Sequence, residues 1–268
     1  MTSRKCPNCR GASLRLRFTE QELRIVRCNT CALTFLENPP ENESLYEDYY
    51  TTVPRSGKEY SALSPHPFLS EIHAINDQRL QILKKISGSG TLLDVGCGLG
   101  FFLKSATEQN YHGYGIDISA AALLFAQKEF GLACGRKSID EILAERRTFD
   151  IITLWHVLEH FLNPAAELKK IRSLLNDDGV CIIEVPNLHS IEFMLSRKKW
   201  KGGNHPLYHR TFFTAPTLED TLLQSGFAAA ERLQLSYRIP TKPVSHFLAK
   251  KLFNIAAMDA FLDYAAFK

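Results

Sequence analysis

The stretch TLLDVGCGLGFFL, residues 91–103, decides the fold. Thr91 to Val95 is a short apolar run of strand character with Asp94 near its end, and Gly96, Gly98 and Gly100 follow as a G-x-G-x-G turn that opens a helix. Glycines in such a turn permit positive φ and close approach of the backbone to a ligand, while the helix N-terminus favours an anionic group such as a carboxylate. The third glycine comes one residue too early for the dinucleotide fingerprint G-x-G-x-x-G, which weakens a nicotinamide reading. Asp117 ends the next apolar run, 21 residues after Gly96, where an acid can accept hydrogen bonds from both hydroxyls of a ribose.

Outward from this stretch, apolar runs recur at Tyr114 to Ile118, Phe149 to Trp155 and Val180 to Val185, and helical patterns follow the runs at Thr91, Tyr114 and Phe149. Strands alternating with helices predict an α/β fold, a doubly wound, mostly parallel Rossmann-like sheet covered on both faces. Ser119 is placed to cap a helix over 120–130, and Asn163 before Pro164 fits an N-cap and first helical position. Upstream, Leu69, Ile72, Ile75, Leu80, Leu83 and Ile86 recur at or near three- and four-residue intervals, predicting an amphipathic entry helix over 68–86. Residues 246–264 have helical rather than alternating periodicity, so a helical extension is expected over 241–268.

The N-terminus is a different module. Cys6, Cys9, Cys28 and Cys31 read C-x2-C-x18-C-x2-C, the spacing of a zinc ribbon. Two CxxC knuckles can complete a tetrahedron of thiolates around one zinc, and four protein ligands close the shell, so the metal would be structural. The expected organisation is a zinc ribbon over 1–36, a Pro-, Ser- and Tyr-containing acidic linker over 37–67, a main domain over 68–240 and the C-terminal extension.

The 268 residues suit one large domain with a small appendage, and 45% apolar with 23% charged residues exclude collagen-like, coiled-coil and wholly disordered chains. The net charge of +3 weighs against nucleic acid as a partner. Residues 1–31 nevertheless carry +5 from seven cations and two anions, and residues 32–60 carry −4. No apolar stretch approaches the roughly 18 residues of a membrane span. MTSRKCPNC lacks the apolar core of a secretory signal, so a cytoplasmic address is expected.

With these residues in place, LLDVGCGLG, YGIDIS and FDIITLWHVLEHFLNP together resemble the class I S-adenosylmethionine-dependent methyltransferases over about residues 68–237. The WHVLEH phrase resembles small-molecule members related to the ubiquinone O-methyltransferases. The resemblance implies S-adenosyl-L-methionine as cofactor. Asp94, Gly96, Cys97, Gly98 and Gly100 would surround its methionine part, and Asp117 with Ile118 would hold the ribose and pack on adenine. Ser138 and Ile139 match the adenine-edge position, where many relatives have an acid. Trp155 and His156 match the strand end that faces the sulfonium, and Arg79 matches an arginine that in some relatives reaches the cofactor carboxylate.

Methyl transfer to a hydroxyl requires positioning of the acceptor and removal of its proton, which histidine can accept near neutral pH. His156 and His160, with Glu159, are the candidate bases. Some relatives use an E-x-x-E-H phrase with a later histidine to hold a divalent ion; His156 stands here in place of the first acid. Between the fifth strand and the next helix, Arg197, Lys198, Lys199, Lys201 and Arg210, with His205 and His209, form a basic loop without an acid, suited to phosphate or carboxylate. The expected acceptor is therefore a small anionic molecule, phosphorylated or nucleotide-linked, methylated on oxygen. The alternatives are a zinc-ribbon RNA methyltransferase and a non-catalytic cofactor-binding scaffold.

Overall fold

A computed structural model of the protein describes residues 5–20, 22–40, 67–190, 208–233 and 261–268, and the statements below concern these residues. They form two compact units, one holding 5–40, 139–233 and 261–268, the other 67–138.

In the second unit, α1 (Pro67–Ile86) leads into β4 (Gly90–Val95), α2 (Phe101–Thr107), β5 (Tyr111–Ile116), α3 (Ala120–Phe130) and β6 (Cys134–Gly135). Strands β4, β5 and β6 are parallel neighbours, with Asp94 opposite Gly115 and Val95 opposite Ile116. Leu92, Leu93 and Leu103 have no exposed surface, as expected for a parallel strand covered by a helix. The Ser119 hydroxyl accepts from the Ala122 N–H at the start of α3, and Gly131 ends that helix in the left-handed conformation.

The first unit contains β1 (Leu14–Glu20), β2 (Leu23–Cys28) and β3 (Thr34–Leu36), then α4 (Ile139–Ala144), β7 (Phe149–Trp155), a 3-10 turn (Leu158–His160), α5 (Pro164–Ser173), β8 (Leu175–Pro186), β9 (Thr211–Phe212), α6 (Ala215–Gln224), β10 (Ala229–Leu233) and β11 (Phe261–Phe267). Strands β7 and β8 are parallel, β11 runs antiparallel to β8, and β10 runs antiparallel to β11. Asn163 caps α5 by accepting from the Ala166 N–H, with Pro164 in the first turn. Seven α/β strands result, and parallel pairs predominate as the alternating pattern predicts.

One expectation changes. Phe261–Phe267 is a strand where helical periodicity was read, because residues 262–266 are buried and the chain pairs with β8 along its whole length. Local spacing of apolar residues cannot separate a short buried strand from a helix; the rest of the expected helix lies outside the described residues, as does most of the linker. The ribbon joins the structure that follows it. Its last strand pairs with β9, giving the sheet order β1-β2-β3-β9. Leu23, Ile25, Leu36, Leu188 and Phe212 bury a common cluster with Phe18 against it.

Candidate active site and cysteine cluster

The glycine turn is held by the residue that follows β5. The carboxylate of Asp117 accepts from the Gly98 N–H and from the Ser119 N–H, both at 2.8 Å. The N–H groups of Gly96 and Cys97 donate to the Ile116 carbonyl at 2.7 and 3.0 Å. Gly96, Gly98 and Gly100 all have positive φ, at 70°, 53° and 79°, a region that other residues enter at a cost. A Cβ at Gly100 would lie 2.6 Å from Leu132 and 2.9 Å from Ala126. Burial raises the Asp117 carboxyl pKa, and the Ser119, Gly98 and Ile118 N–H groups oppose that rise.

The other proposed cofactor contacts divide by exposure. Ile118 is 49% exposed directly beside Asp117, an apolar surface available to a flat ring. Ser138 is exposed, whereas Ile139 is buried at the start of α4 and offers little surface to a ligand. Cys97 packs its sulfur over Gly115, and burial followed by Asp94 and Asp117 pushes its thiol far up, so it is neutral and inert. Asp94 and Trp155 are buried at the ends of β4 and β7.

In the first unit, the turn after β7 gathers ionisable groups. His156 has φ of 58°, and this left-handed step brings its Nε2 to 2.9 Å from Glu184 Oε1 and its Nδ1 to 3.5 Å from Glu159 Oε1. Burial would lower the His156 pKa, but Glu184 and Glu159 outweigh it and raise the value to about 9. Both ring nitrogens face carboxylates, which favours the imidazolium form of His156 near neutral pH. Held toward the protonated form, it is better placed to donate than to serve as the base expected from the sequence.

His160 is arranged differently. Its Nδ1 stands 2.9 Å from the Tyr208 carbonyl, an acceptor only, so Nδ1 is the donor and the tautomer with its lone pair on Nε2 is the one that fits. Glu159 is 1% exposed, and neither carboxylate oxygen accepts a hydrogen bond from a described group. Burial would raise its pKa; His156, His160 and His209 outweigh this and hold it below the ordinary carboxylate value. Glu159, His160 and His209 bring one ligand atom each to within 4.8 Å of the others. A cavity of about 10 Å³ beside them is lined by Glu159, His209, Thr211 and three apolar neighbours, room for about one water-sized ligand.

The four ribbon cysteines converge as their spacing predicts. Cys6 Sγ lies 3.5 Å from Cys31 Sγ, Cys9 Sγ lies 3.5 Å from Cys28 Sγ, and all four sulfurs fall within 4.8 Å. Zinc–sulfur bonds of about 2.3 Å in a tetrahedron place sulfurs about 3.8 Å apart, so the set fits a metal. Burial drives the Cys31 thiol to about 11, whereas at Cys28 the Cys31 and Thr30 N–H groups outweigh burial and bring it to about 7.

A family model described as a methyltransferase domain matches residues 68–231, more than half of the chain. The chain belongs to that methyltransferase domain family. Among curated relatives, this methyltransferase-domain protein is 33% identical over 141 residues to a ubiquinone biosynthesis O-methyltransferase of Xylella fastidiosa strain M23, covering 49% of this chain and 57% of the relative. It is 30% identical over 144 residues to the enzyme of the same name from Glaesserella parasuis, covering 49% and 61%. The matches thus span less than two thirds of these relatives. A SAM-dependent methyltransferase structure from Archaeoglobus fulgidus superposes with a TM-score of 0.56 at 19% identity, over 75% of this chain and 99% of that one. Magnesium protoporphyrin IX methyltransferase from Synechocystis PCC 6803 does so with 0.57 at 13% identity, over 85% and 100%. These likenesses establish the fold as that of the class I methyltransferases.

Sequence reasoning did not single out Glu184 or Phe261, whose ring lies 4.7 Å from that of His156; each is distant in sequence and carries no motif. Arg210, placed with the exposed basic loop, is instead buried, donating to the Pro40 carbonyl at 3.1 Å. Arg197, Lys198, Lys199, Lys201 and His205 lie outside the described residues. No helix among the described residues is long and apolar enough to cross a membrane.

Proposed function

We propose that this methyltransferase-domain protein transfers a methyl group from S-adenosylmethionine to an oxygen of a small anionic molecule, phosphorylated or nucleotide-linked. The observation that carries the cofactor assignment is the bond from Gly98 N–H to Asp117, which holds the positive-φ turn and the acid together as one preformed cradle. Gly96, Cys97, Gly98, Gly100 and Asp94 take the methionine part, with Arg79 for its carboxylate. Asp117 retains acceptor capacity for ribose beyond its two backbone bonds, Ile118 covers adenine, and Ser138 takes the adenine edge. When bound, the cofactor supplies an electrophilic methyl on a sulfonium.

His160 accepts the acceptor proton at Nε2, because its Nδ1–H is committed to Tyr208. His156 holds Glu184 and Glu159 as anions, and Glu159 in turn stabilises the proton gained by His160. Zinc occupies the four-cysteine site as a structural ion. Calorimetry with S-adenosylhomocysteine tests the core of this reading: wild type should bind, and Gly98→Val, forced into positive φ, should not. Equal binding by both would sink it, as would absent methyl transfer from labelled cofactor to any phosphorylated hydroxyl compound.

The buried carboxylate of Glu159, which faces His156 at 3.5 Å but accepts no hydrogen bond from a described group, favours a second reading, in which Glu159, His160 and His209 hold a divalent cation that orients acceptor oxygens. Loss of turnover on treatment with a chelator that leaves ribbon zinc in place, restored by magnesium or manganese, selects this reading over His160 as base.

A further inference from the structure

The β1–β2 hairpin presents a cationic face that the methyl-transfer reading does not use. Arg15 and Arg27 are directly opposite each other across the antiparallel pair, a position where like charges repel. Arg17 falls at the register shift between Leu16 and Phe18, the kind of irregularity that re-aims a side chain. Arg15, Leu16, Arg17 and Arg27 line a cleft of about 260 Å³ that has no acid in its lining. All three arginines are exposed, and none forms an ion pair with a described carboxylate. Arg24 on the same hairpin, by contrast, is bound to Glu37 at 2.7 Å. The arginine field reaches the loop after β8, where burial and then Arg17 and Arg27 lower the proton affinity of His189.

We propose that Arg15, Arg17 and Arg27 form a binding site for the diphosphate or triphosphate group of a small molecule. Side chains opposite each other across strands stand about 5 Å apart and next-but-one residues along a strand about 7 Å, so three guanidinium forks can converge on adjacent phosphates and bind them bidentately. The cleft is smaller than the roughly 300–1,000 Å³ of a whole-ligand pocket. It therefore takes the phosphate group and leaves the rest of the molecule outside. Its compactness favours a condensed phosphate over the extended track that a nucleic-acid strand requires. A polyanion between Arg15 and Arg27 converts their repulsion into a shared attraction, which is the physical reason to keep them opposed.

The test is calorimetry of the zinc-loaded full chain with inorganic pyrophosphate, and in parallel with a single-stranded 12-nucleotide RNA. Wild type should bind pyrophosphate, Arg15→Gln with Arg27→Gln should weaken it at least about tenfold, the loss expected of charge-assisted contacts, and Arg17→Gln alone should also weaken it. Arg24→Gln should bind as wild type. Zinc content, melting temperature and S-adenosylhomocysteine binding should be retained in every variant, which separates this site from the cofactor assignment. Unchanged pyrophosphate affinity in the arginine variants overturns the proposal. Loss of zinc in them also overturns it, assigning the arginines to the thiolate cluster's charge. RNA binding tighter than pyrophosphate, with a log–log salt slope of several units, replaces the small molecule with a nucleic acid.

Discussion

His156 is bound twice to Glu184: its backbone N–H donates to the Glu184 carbonyl at 2.9 Å, and its Nε2 meets the Glu184 carboxylate at 2.9 Å. Trp155 and Glu184 are register partners on the parallel strands β7 and β8. The positive φ at His156 then turns the ring back over the end of the neighbouring strand. The strand ends are thereby pinned at the point where the turn to Glu159 and His160 begins.

This pair sets a pH dependence. The His156 pKa rises from 6.5 unfolded to about 9 folded, so its stabilisation is complete below about pH 6.5, declines above it and is gone once pH passes about 9. Glu159 has the opposite sign: its folded pKa is lowered from 4.5, so its contribution is present above 4.5 and lost on acidification. Chemical denaturation of wild type and His156→Gln at fixed zinc should show a difference of about 1–3 kcal/mol near pH 6, a partly exposed ring being worth less than a fully buried pair. The difference should shrink towards pH 9.5. A difference independent of pH would remove the imidazolium from the account.

Asp117→Asn is expected to act before any cofactor arrives. The amide keeps one oxygen but cannot accept from both the Gly98 and Ser119 N–H groups, which should cost about 1–3 kcal/mol of stability. S-adenosylhomocysteine should bind at least about tenfold more weakly, for the same reason. Normal stability with weakened binding would mean that the acid serves the ribose alone.

Metal analysis of the purified protein should find one zinc per chain at Cys6, Cys9, Cys28 and Cys31. Cys28→Ser should abolish it and lower the melting temperature, because binding free energy in such sites is folding free energy. The effect should spread beyond the ribbon. Strand β3 pairs with β9, and Leu36 N–H donates to the Arg210 carbonyl while Arg210 N–H donates to the Glu159 carbonyl. Hydrogen exchange at Arg210 should therefore accelerate in the zinc-free protein.

His160→Ala should lower kcat by about 10² to 10⁴-fold with little change in S-adenosylhomocysteine affinity if it removes the acceptor proton. His160→Gln should not rescue it. His156→Gln should leave a smaller kinetic defect than His160→Ala, since Glu184 and Glu159 hold His156 toward its protonated form; the reverse order would assign the base to His156.

Deleting residues 261–268 should be severe. Phe261–Phe267 covers the edge of β8 through seven register pairs, with Leu262, Ala265 and Ala266 almost wholly buried. The truncated chain would bare a long apolar edge, a template for aggregation. Loss of soluble expression, or association seen by light scattering, is the expected outcome.

The sequence by itself determined whatever local chemistry dictates. The glycine turn after β4 was legible because only glycine enters three positive-φ positions cheaply, the caps at Ser119 and Asn163 because a short polar side chain satisfies the first helical N–H groups, and the cysteine pairs because their spacing sets thiolates at a knuckle. Tertiary structure decided the properties that depend on partners distant in the chain. Glu184, 28 residues from His156, faces that ring and raises its proton affinity, while the Tyr208 carbonyl fixes which His160 nitrogen donates. Pairing with β8 made a strand of residues whose spacing alone read as helix. Burial, with the Leu36 N–H on its carbonyl and its own N–H on the Glu159 carbonyl, turned Arg210 from a loop cation into a tie between ribbon and turn. Propensity and spacing are short-range, whereas proton affinity, strand identity and burial are set by the low-dielectric surroundings that only the folded chain assembles.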